Sequence, residues 1–166
     1  RILVEAAALR SDRAAAEAAV ESVWDDPTLV DSHRAHLSRR LALARFAAGD
    51  LAGALAITEQ AAGMVTEPHA VAAVQAQRAQ LLGTAGRPYE TLRVLDESGD
   101  DLDHDPRVRV QRCNARSIAC ASVGRFQEAL DAARDGALAQ SQLPEWLARR
   151  GMASHLVNEA HAFGYS

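Results

Sequence analysis

Apolar residues recur at helical spacing along most of this chain. Leu37, Leu41 and Ala44 fall four and three positions apart, which places them on one face of a helix. The same spacing resumes after Gly49 and continues from Leu51 to Ala62. Clusters of Asp, Gly, Ser and Pro separate such segments and end the helices. The pattern predicts roughly nine antiparallel helices, near residues 2–10, 13–24, 31–48, 51–64, 68–85, 88–97, 106–123, 126–140 and 144–163.

Glycines end three of these helices at a regular interval. Gly49, Gly86 and Gly124 lie 37 and 38 residues apart, and each is followed by a segment that begins another helix. Glycine permits the left-handed backbone geometry that closes a helix. The spacing therefore predicts repeats of about 38 residues with two helices each. One such pair buries little apolar surface alone, so neighbouring pairs are expected to stack.

The predicted fold is an all-α superhelix of about four helical hairpins, forming a single domain over residues 1–166. Its units are expected near 1–27, 28–67, 68–104 and 105–143, with a partial unit at 144–166. The chain opens on Arg1 inside a helical pattern and has no initiator methionine, so we expect it to be a piece of a longer protein. The acidic stretch from Glu97 to Asp105 contains no arginine and predicts a solvated loop between repeats.

Composition favours helices over strands. The 166 residues include 36 alanines, and aromatic residues make up only 4%. Alanine loses no side-chain entropy in a helix, whereas sandwiches and barrels need β-branched and aromatic residues. Hydrophobic residues reach 48% and the net charge is −4, which excludes wholesale disorder. The mildly acidic balance also argues against a general nucleic-acid surface, because such surfaces are basic.

The cysteines and the apolar stretches indicate a cytoplasmic location. Cys113 and Cys120 lie seven residues apart in a predicted helix, which separates their Cα atoms by roughly 10 Å at about 1.5 Å per residue. That separation is too large for a disulfide, so the chain is expected in the reducing cytosol. We expect both cysteines to pack as small buried residues, with a reactive thiol as the alternative. No stretch of 18 apolar residues is present, so no membrane span is predicted.

The chain lacks the motifs of the common enzyme classes. All 18 basic residues are arginine, so neither a phosphate-binding loop that needs lysine nor Schiff-base chemistry can occur. Dinucleotide-binding, nucleophile-elbow and paired-cysteine metal motifs are also absent. His33 with His36, and His155 with His161, come nearest to metal ligands, but two ligands do not make a site. We therefore predict a protein that is not an enzyme and has no cofactor or metal.

Two turn segments resemble the tetratricopeptide repeat (TPR). The pattern Gly-x-(apolar or aromatic)-x-x-Ala-Leu occurs at residues 49–55 and 124–130. A third copy begins at Gly86, where Pro88 replaces the aromatic residue and Thr91 replaces the small alanine. The resemblance implies a TPR-like solenoid in which helix pairs stack to form a superhelix with a concave groove.

The long, degenerate repeats also resemble the helical-repeat region of large LuxR-type bacterial transcriptional regulators. In that family the repeat region lies between an ATPase module and a C-terminal DNA-binding helix-turn-helix. The resemblance implies that this chain is the sensor or scaffold region of such a regulator. It would then contain neither the ATPase nor the DNA reader, and it would make no direct contact with nucleic acid.

The first helix of each TPR-like pair is expected to line the concave groove. Carrying the groove positions of the family onto this sequence selects Arg39, Leu43, Phe46, Gln80, Asn114, Ile118, Asn158 and His161. The resemblance implies a protein or peptide partner in this groove, with Phe46 as an anchor. Core packing of Phe46 is the alternative. An uncapped end of the solenoid could also pair two copies into a homodimer.

Two arginines recur at one repeat position. Arg78 and Arg116 each lie eight residues before a turn glycine, where the TPR family has a leucine. One interpretation is structural, with Glu90 or Glu128 of the following helix as the salt-bridge partner. The other is a pair of guanidinium groups that bind an anionic ligand. On the second interpretation the chain would be a small-molecule effector-binding domain of the regulator.

Overall fold

The computed structural model describes residues 28–99 and 105–144, together with Ala18, Trp24 and Asp26. Six α-helices lie in this part of the chain. They are α1 (Asp31–Ala47), α2 (Leu51–Met64), α3 (Pro68–Thr84), α4 (Pro88–Glu97), α5 (Pro106–Ser122) and α6 (Phe126–Ser141). No strand occurs among the described residues, which supports the all-α prediction.

The boundaries of these six helices agree with the predicted ones to within one residue. The predicted total of nine helices is not supported, because the described part of the chain contains six. The remaining predicted helices, near 2–10, 13–24 and 144–163, lie almost entirely outside the described residues. Of the residues in those ranges that are described, Ala18 and Trp24 are helical.

Two compact units make up the chain, Arg1–Gln75 and Ala76–Ser166. The division falls within α3, so the described part of the first unit holds α1, α2 and the first half of α3. The second unit holds the rest of α3 with α4, α5 and α6. Within the units, α1 packs against α2, α4 against α5, and α5 against α6.

The same turn joins all three helix pairs. Gly49, Gly86 and Gly124 adopt φ angles of 79°, 70° and 79°, in the left-handed region that glycine enters without steric cost. The residue after each glycine donates its backbone N–H to a carbonyl five residues back, at 2.9 to 3.0 Å. This is the Schellman closure of a helix. Each first helix is 17 residues long and each turn spans three residues, so the predicted repeat is present in the backbone.

A small buried side chain lets the second helix of each pair approach the first. Ala54, Thr91 and Ala129 occupy equivalent positions five residues after the turn glycine, and all three are completely buried. Thr91 was the weaker match to the TPR pattern, and its hydroxyl donates to the Arg87 carbonyl at 3.0 Å. The added polar atom is thereby satisfied within its own helix, and threonine fits where alanine stands in the other repeats.

The core of the first unit forms where α1, α2 and the start of α3 meet. Its buried residues are Trp24, Ala35, Leu37, Leu41, Ala61, Val65, Ala70 and Val74. Arg34 is also buried, and it donates through Nη1 to the Trp24 carbonyl and through Nη2 to the Asp26 carbonyl at 2.6 Å. The hydrogen bonds of its guanidinium therefore hold the backbone at Trp24 and Asp26 against α1.

Asp31, the first residue of α1, links two neighbouring first helices within the first unit. Its Oδ2 accepts backbone N–H bonds from Thr66 at 2.6 Å and from Glu67 at 2.8 Å, directly before α3 begins. These bonds, that of Thr66 foremost, hold the pKa of Asp31 below its ordinary value of 3.8. The charged carboxylate thus stabilises the connection between α2 and α3.

This linkage predicts a pH-dependent contribution to stability. Because the folded state lowers the pKa of Asp31, its contribution is complete above the unfolded value of 3.8 and is lost as the pH falls through the folded value. We expect Asp31→Asn to lower the thermal midpoint at neutral pH, with a gap to wild type that closes in acid. Thermal unfolding followed by circular dichroism from neutral pH into the acid range checks this. A gap that stays constant into strong acid would contradict the assignment.

The second unit packs α4 and α6 against α5. Leu92, Ala119, Cys120 and Ala129 form a buried cluster at this junction. Arg112 is buried on α5 and donates through Nη2 to the carbonyl of Leu95 at 3.2 Å, at the end of α4. The acidic connection between α4 and α5 was predicted as a loop; its residues 100–104 lie outside the described part.

Two glycine substitutions should change stability in opposite directions. An alanine at Gly124 must adopt a φ of 79°, which costs about 1–2 kcal/mol for a residue with a Cβ. Gly63 lies in the last turn of α2, and nothing lies within 4 Å of an added Cβ. Gly63→Ala should therefore stabilise the protein by about 0.5–1 kcal/mol. Urea denaturation of the wild type and both variants measures the free energies of unfolding. A lower value for Gly63→Ala than for the wild type would contradict the prediction.

Candidate partner-binding surface

Three of the predicted groove residues lie on one stripe of α1. Arg39, Leu43 and Phe46 are four and three residues apart, so they are neighbours on the helix surface. The side chains of Leu43 and Phe46 are 44% and 38% exposed, and Arg39 is half-buried. The exposure of Phe46 disagrees with the alternative of core packing. Its role in binding stays a prediction.

The opposite face of α1 explains why these side chains point outwards. Leu37, Leu41 and Ala42 are buried in the first unit, at 4%, 3% and 0% exposure. They fix the rotation of α1 about its axis, because the helix turns about 100° per residue at about 3.6 residues per turn. Leu43 and Phe46 then fall on the solvent side although they are apolar.

In the second unit, two predicted groove residues lie on adjacent helices. Gln80 of α3 is exposed, and its Oε1 accepts a hydrogen bond from Gln111 Nε2 of α5 at 3.3 Å. Ile118 of α5 lies beside α3, since its Cγ2 is 3.9 Å from the position of a Cβ added to Gly83. Within the second unit, α3 and α5 therefore lie close enough for their side chains to meet.

Of the three remaining predicted groove residues, the structure describes one. Asn114 is half-buried on α5, between Gln111 and Ile118 in sequence. Asn158 and His161 lie outside the described residues.

Arg116 has a different direct partner from the one considered in the sequence analysis. Its Nη2 lies 2.8 Å from Asp96 Oδ1 at the end of α4. Glu128 forms its two hydrogen bonds with Arg125. Of the two glutamates considered as salt-bridge partners, Glu128 pairs with Arg125, and Arg116 pairs with Asp96 instead. Arg78 also takes part in polar or electrostatic interactions, among them one with the charge of Glu90.

An arginine–glutamate pair at the start of the second helix recurs in the second unit. Arg87 Nε and Nη2 each lie 2.6 Å from a carboxylate oxygen of Glu90, and Arg125 binds Glu128 in the same two-pronged way. The pattern Arg-x-x-Glu directly after the turn glycine is the sequence signal for this pair. In the first unit the equivalent residues are Asp50 and Gly53, and the Asp50 side chain accepts from the Gly53 N–H at 2.8 Å.

Arg78 and Arg116, which recur on the first helices, also influence the pKa of the glutamates after the turns. Hydrogen bonding to Arg87, with the positive charges of Arg93 and Arg78, keeps the pKa of Glu90 below its ordinary value. Arg125 has the same effect on the pKa of Glu128, with a smaller contribution from Arg116. Arg78 and Arg116 therefore act on the turn glutamates through their charge, while a neighbouring arginine makes the direct bonds.

The cysteines have different environments. Both are free thiols, which agrees with the prediction of no disulfide. Cys120 is fully buried, and burial raises the pKa of its thiol above the ordinary value. A raised pKa disfavours the nucleophilic thiolate. Cys113 is only half-buried, so the prediction of a buried residue holds for Cys120 alone.

The described part of the chain has neither the side-chain cluster of a metal site nor a membrane-spanning helix. It contains no group of three or more His, Cys, Asp or Glu side chains that could hold a metal ion. His33 and His36 both lie on α1, whereas His155 and His161 fall outside the described residues. Among the described helices, none combines the length and apolar character needed to cross a bilayer.

Three further exposed apolar residues were not selected from the sequence. They are Val30, Tyr89 and Leu138, at 54%, 76% and 57% exposure. For Leu138 a signal exists, because it lies nine residues after the buried Ala129 and so falls half a turn away from it on α6. These residues provide controls for any test of Leu43 and Phe46.

Comparison with known proteins found no matching family model, no matching curated protein and no matching solved structure.

Proposed function

We propose that this chain is a non-catalytic helical-repeat module that binds a protein or a peptide. The exposed apolar stripe on α1 is the observation that carries the proposal. Leu43 and Phe46 remain accessible on a helix whose other face packs in a core of buried residues. Binding sites for proteins commonly combine such apolar anchors with a rigid support.

The repeated backbone geometry supports a more specific architecture. Three helix pairs share a 17-residue first helix, a three-residue turn and a buried small residue at the start of the second helix. We propose that such pairs stack into a TPR-like superhelix whose first helices face the partner. We further propose that the chain belongs to the sensor or scaffold region of a cytoplasmic LuxR-type bacterial regulator; the sequence resemblance supports this proposal.

The alternative function is binding of a small anionic effector at Arg78 and Arg116. The ion pair between Arg116 and Asp96 compensates one of these charges. A bound anion would have to compete with Asp96 for the same guanidinium. The geometry around Arg116 therefore favours the structural role and, with it, the protein-binding function.

A photoreactive amino acid at position 46 tests the proposed function. Irradiated in a bacterial lysate, the protein should crosslink to a partner protein from position 46 and not from position 89, where Tyr89 is more exposed. Removal of a central interface side chain such as Phe46 should weaken capture about tenfold, since interface anchors contribute much of the binding energy. Affinity capture by Phe46→Ala, Arg39→Ala and the control Leu138→Ala measures this. Equal capture by all variants would refute the proposal.

A further inference from the structure

The solvent-facing side of α1 has a distinctive composition. We call it the outer face of α1. It consists of His33, His36, Arg39, Arg40, Leu43, Phe46 and Ala47. Helical periodicity places these residues away from Leu37, Leu41 and Ala42, which are buried. Each residue of the outer face is at least partly accessible.

The residues of this face include basic side chains and no acidic one. Two arginines and two histidines lie on it, and the helix contains a single acidic residue, Asp31. The carboxylate of Asp31 is bonded to the backbone before α3 and does not belong to this face. The buried Nε of Arg40 has no hydrogen-bond partner among the residues that the structure describes. The outer face of α1 is therefore basic, whereas the chain as a whole has a net charge of −4.

We propose that the outer face of α1 binds an acidic amphipathic segment of a partner protein. This inference rests on the proposed function and specifies the chemistry of the partner. Apolar side chains of the segment would cover Leu43 and Phe46, and its carboxylates would face Arg39 and Arg40. Complementary charge sets the orientation and increases the association rate, while burial of the apolar side chains provides affinity.

The spacing on α1 sets the spacing required of the partner. Arg39 and Arg40 precede Leu43 and Phe46 by three to seven residues, or roughly 5–10 Å along the helix axis. The face from His33 to Ala47 extends for roughly 21 Å. A partner helix of about four turns spans this length. Its carboxylates would lie one to two turns from its large apolar residues.

An anionic membrane is the other surface that attracts basic and apolar side chains. A helix that lies in a membrane interface exposes a broad apolar face along its whole length. On α1 the two large apolar residues lie only in the C-terminal part, and the opposite face is already buried in the protein. These observations favour a protein segment.

Selection from a display library of random 16-residue peptides tests the inference. Peptides enriched on the wild-type protein should combine Asp or Glu with Leu, Phe or Trp. Fluorescence anisotropy should then show that Arg40→Glu and Phe46→Ala each weaken the enriched peptides about tenfold or more. Added salt should weaken binding to the wild type more than to Arg40→Glu, because salt screens the charges.

Two matched controls keep the outcomes separate. Arg107→Glu makes the same charge change on α5, and Leu138→Ala truncates a leucine of similar exposure on α6. Both should bind the enriched peptides like the wild type. Thermal unfolding of every variant checks that the fold is intact.

The possible results distinguish this inference from the proposed function. Enriched peptides without acidic residues would overturn the inference, and so would enriched peptides that bind Arg40→Glu as tightly as the wild type. Either result would still agree with the proposed function, since a peptide is bound. No enrichment at all would overturn both. Binding to vesicles of phosphatidylcholine and phosphatidylserine that is lost in Phe46→Ala, without peptide enrichment, would assign the outer face of α1 to a membrane instead.

Discussion

Replacing Trp24 with alanine should lower the free energy of unfolding by about 3–5 kcal/mol. Trp24 is 5% exposed and is the largest side chain in the core of the first unit. Its removal takes the largest side chain out of a cluster that includes residues of α1, α2 and α3. A close-packed core relaxes only in part around such a deletion and keeps a cavity. Urea denaturation followed by circular dichroism measures the loss.

The indole N–H provides a sharper comparison. Trp24 Nε1 is buried without a hydrogen-bond partner among the described residues. Trp24→Phe removes this unpaired donor together with part of the ring, so its destabilisation should be clearly smaller than that of Trp24→Ala. Tyr89→Ala is the exposed aromatic control, and it should change stability by no more than about 0.5 kcal/mol. Equal effects of Trp24→Ala and Tyr89→Ala would show that Trp24 is not in the core.

Leu95→Ala should destabilise the second unit by about 2–5 kcal/mol. Leu95 is 1% exposed and is the largest of the completely buried side chains. Its carbonyl accepts from Arg112 Nη2 and from Ser98 Oγ, and those bonds persist in the variant because they involve the main chain. The loss therefore reports side-chain packing alone.

Leu138→Ala is the matched control for this prediction. Leu138 is 57% exposed on α6, so its truncation should change the unfolding free energy by no more than about 0.5 kcal/mol. Chemical denaturation of both variants should give the same dependence on denaturant concentration and different midpoints. A midpoint for Leu95→Ala that coincides with that of Leu138→Ala would refute the assignment of Leu95 to the core.

The helices were predictable because two local signals coincide in this sequence. Glycines such as Gly49 and Gly124 mark the ends of helices whose apolar residues already repeat at helical spacing, so boundary and period agree. The replacement of alanine by Thr91 weakened the repeat pattern, but the structure accommodates it with one local hydrogen bond. Signals of this kind need only neighbouring residues.

Contacts between distant residues were not predictable in the same way. Asp31 accepts hydrogen bonds from residues 35 and 36 positions further along, and no sequence spacing indicates this. Arg116 has acidic residues available on two helices, and only the packing of α4 against α5 selects Asp96. Charged side chains are long and flexible, so several partners are within reach until the tertiary structure is known.

The candidate site lies between these two cases. Helical periodicity around Leu37 and Leu41 would alone place Leu43 and Phe46 outside, and their exposure agrees with it. The prediction that they contact a partner came from the resemblance to the TPR family. The basic character of the surface around them depends on tertiary contacts, because Asp31, the acidic residue of α1, is bonded to the backbone before α3.

The shared turn has a consequence for how this chain can change in length. The first helix and the turn have the same length in all three pairs, so the difference between intervals of 37 and 38 residues arises after the turn. There, α4 is four residues shorter than α2, and the connection that follows it is five residues longer. Insertions and deletions during evolution are therefore expected between pairs, where a longer loop adds little entropic cost. Within a pair, the hydrogen bonds of the glycine turn would resist them.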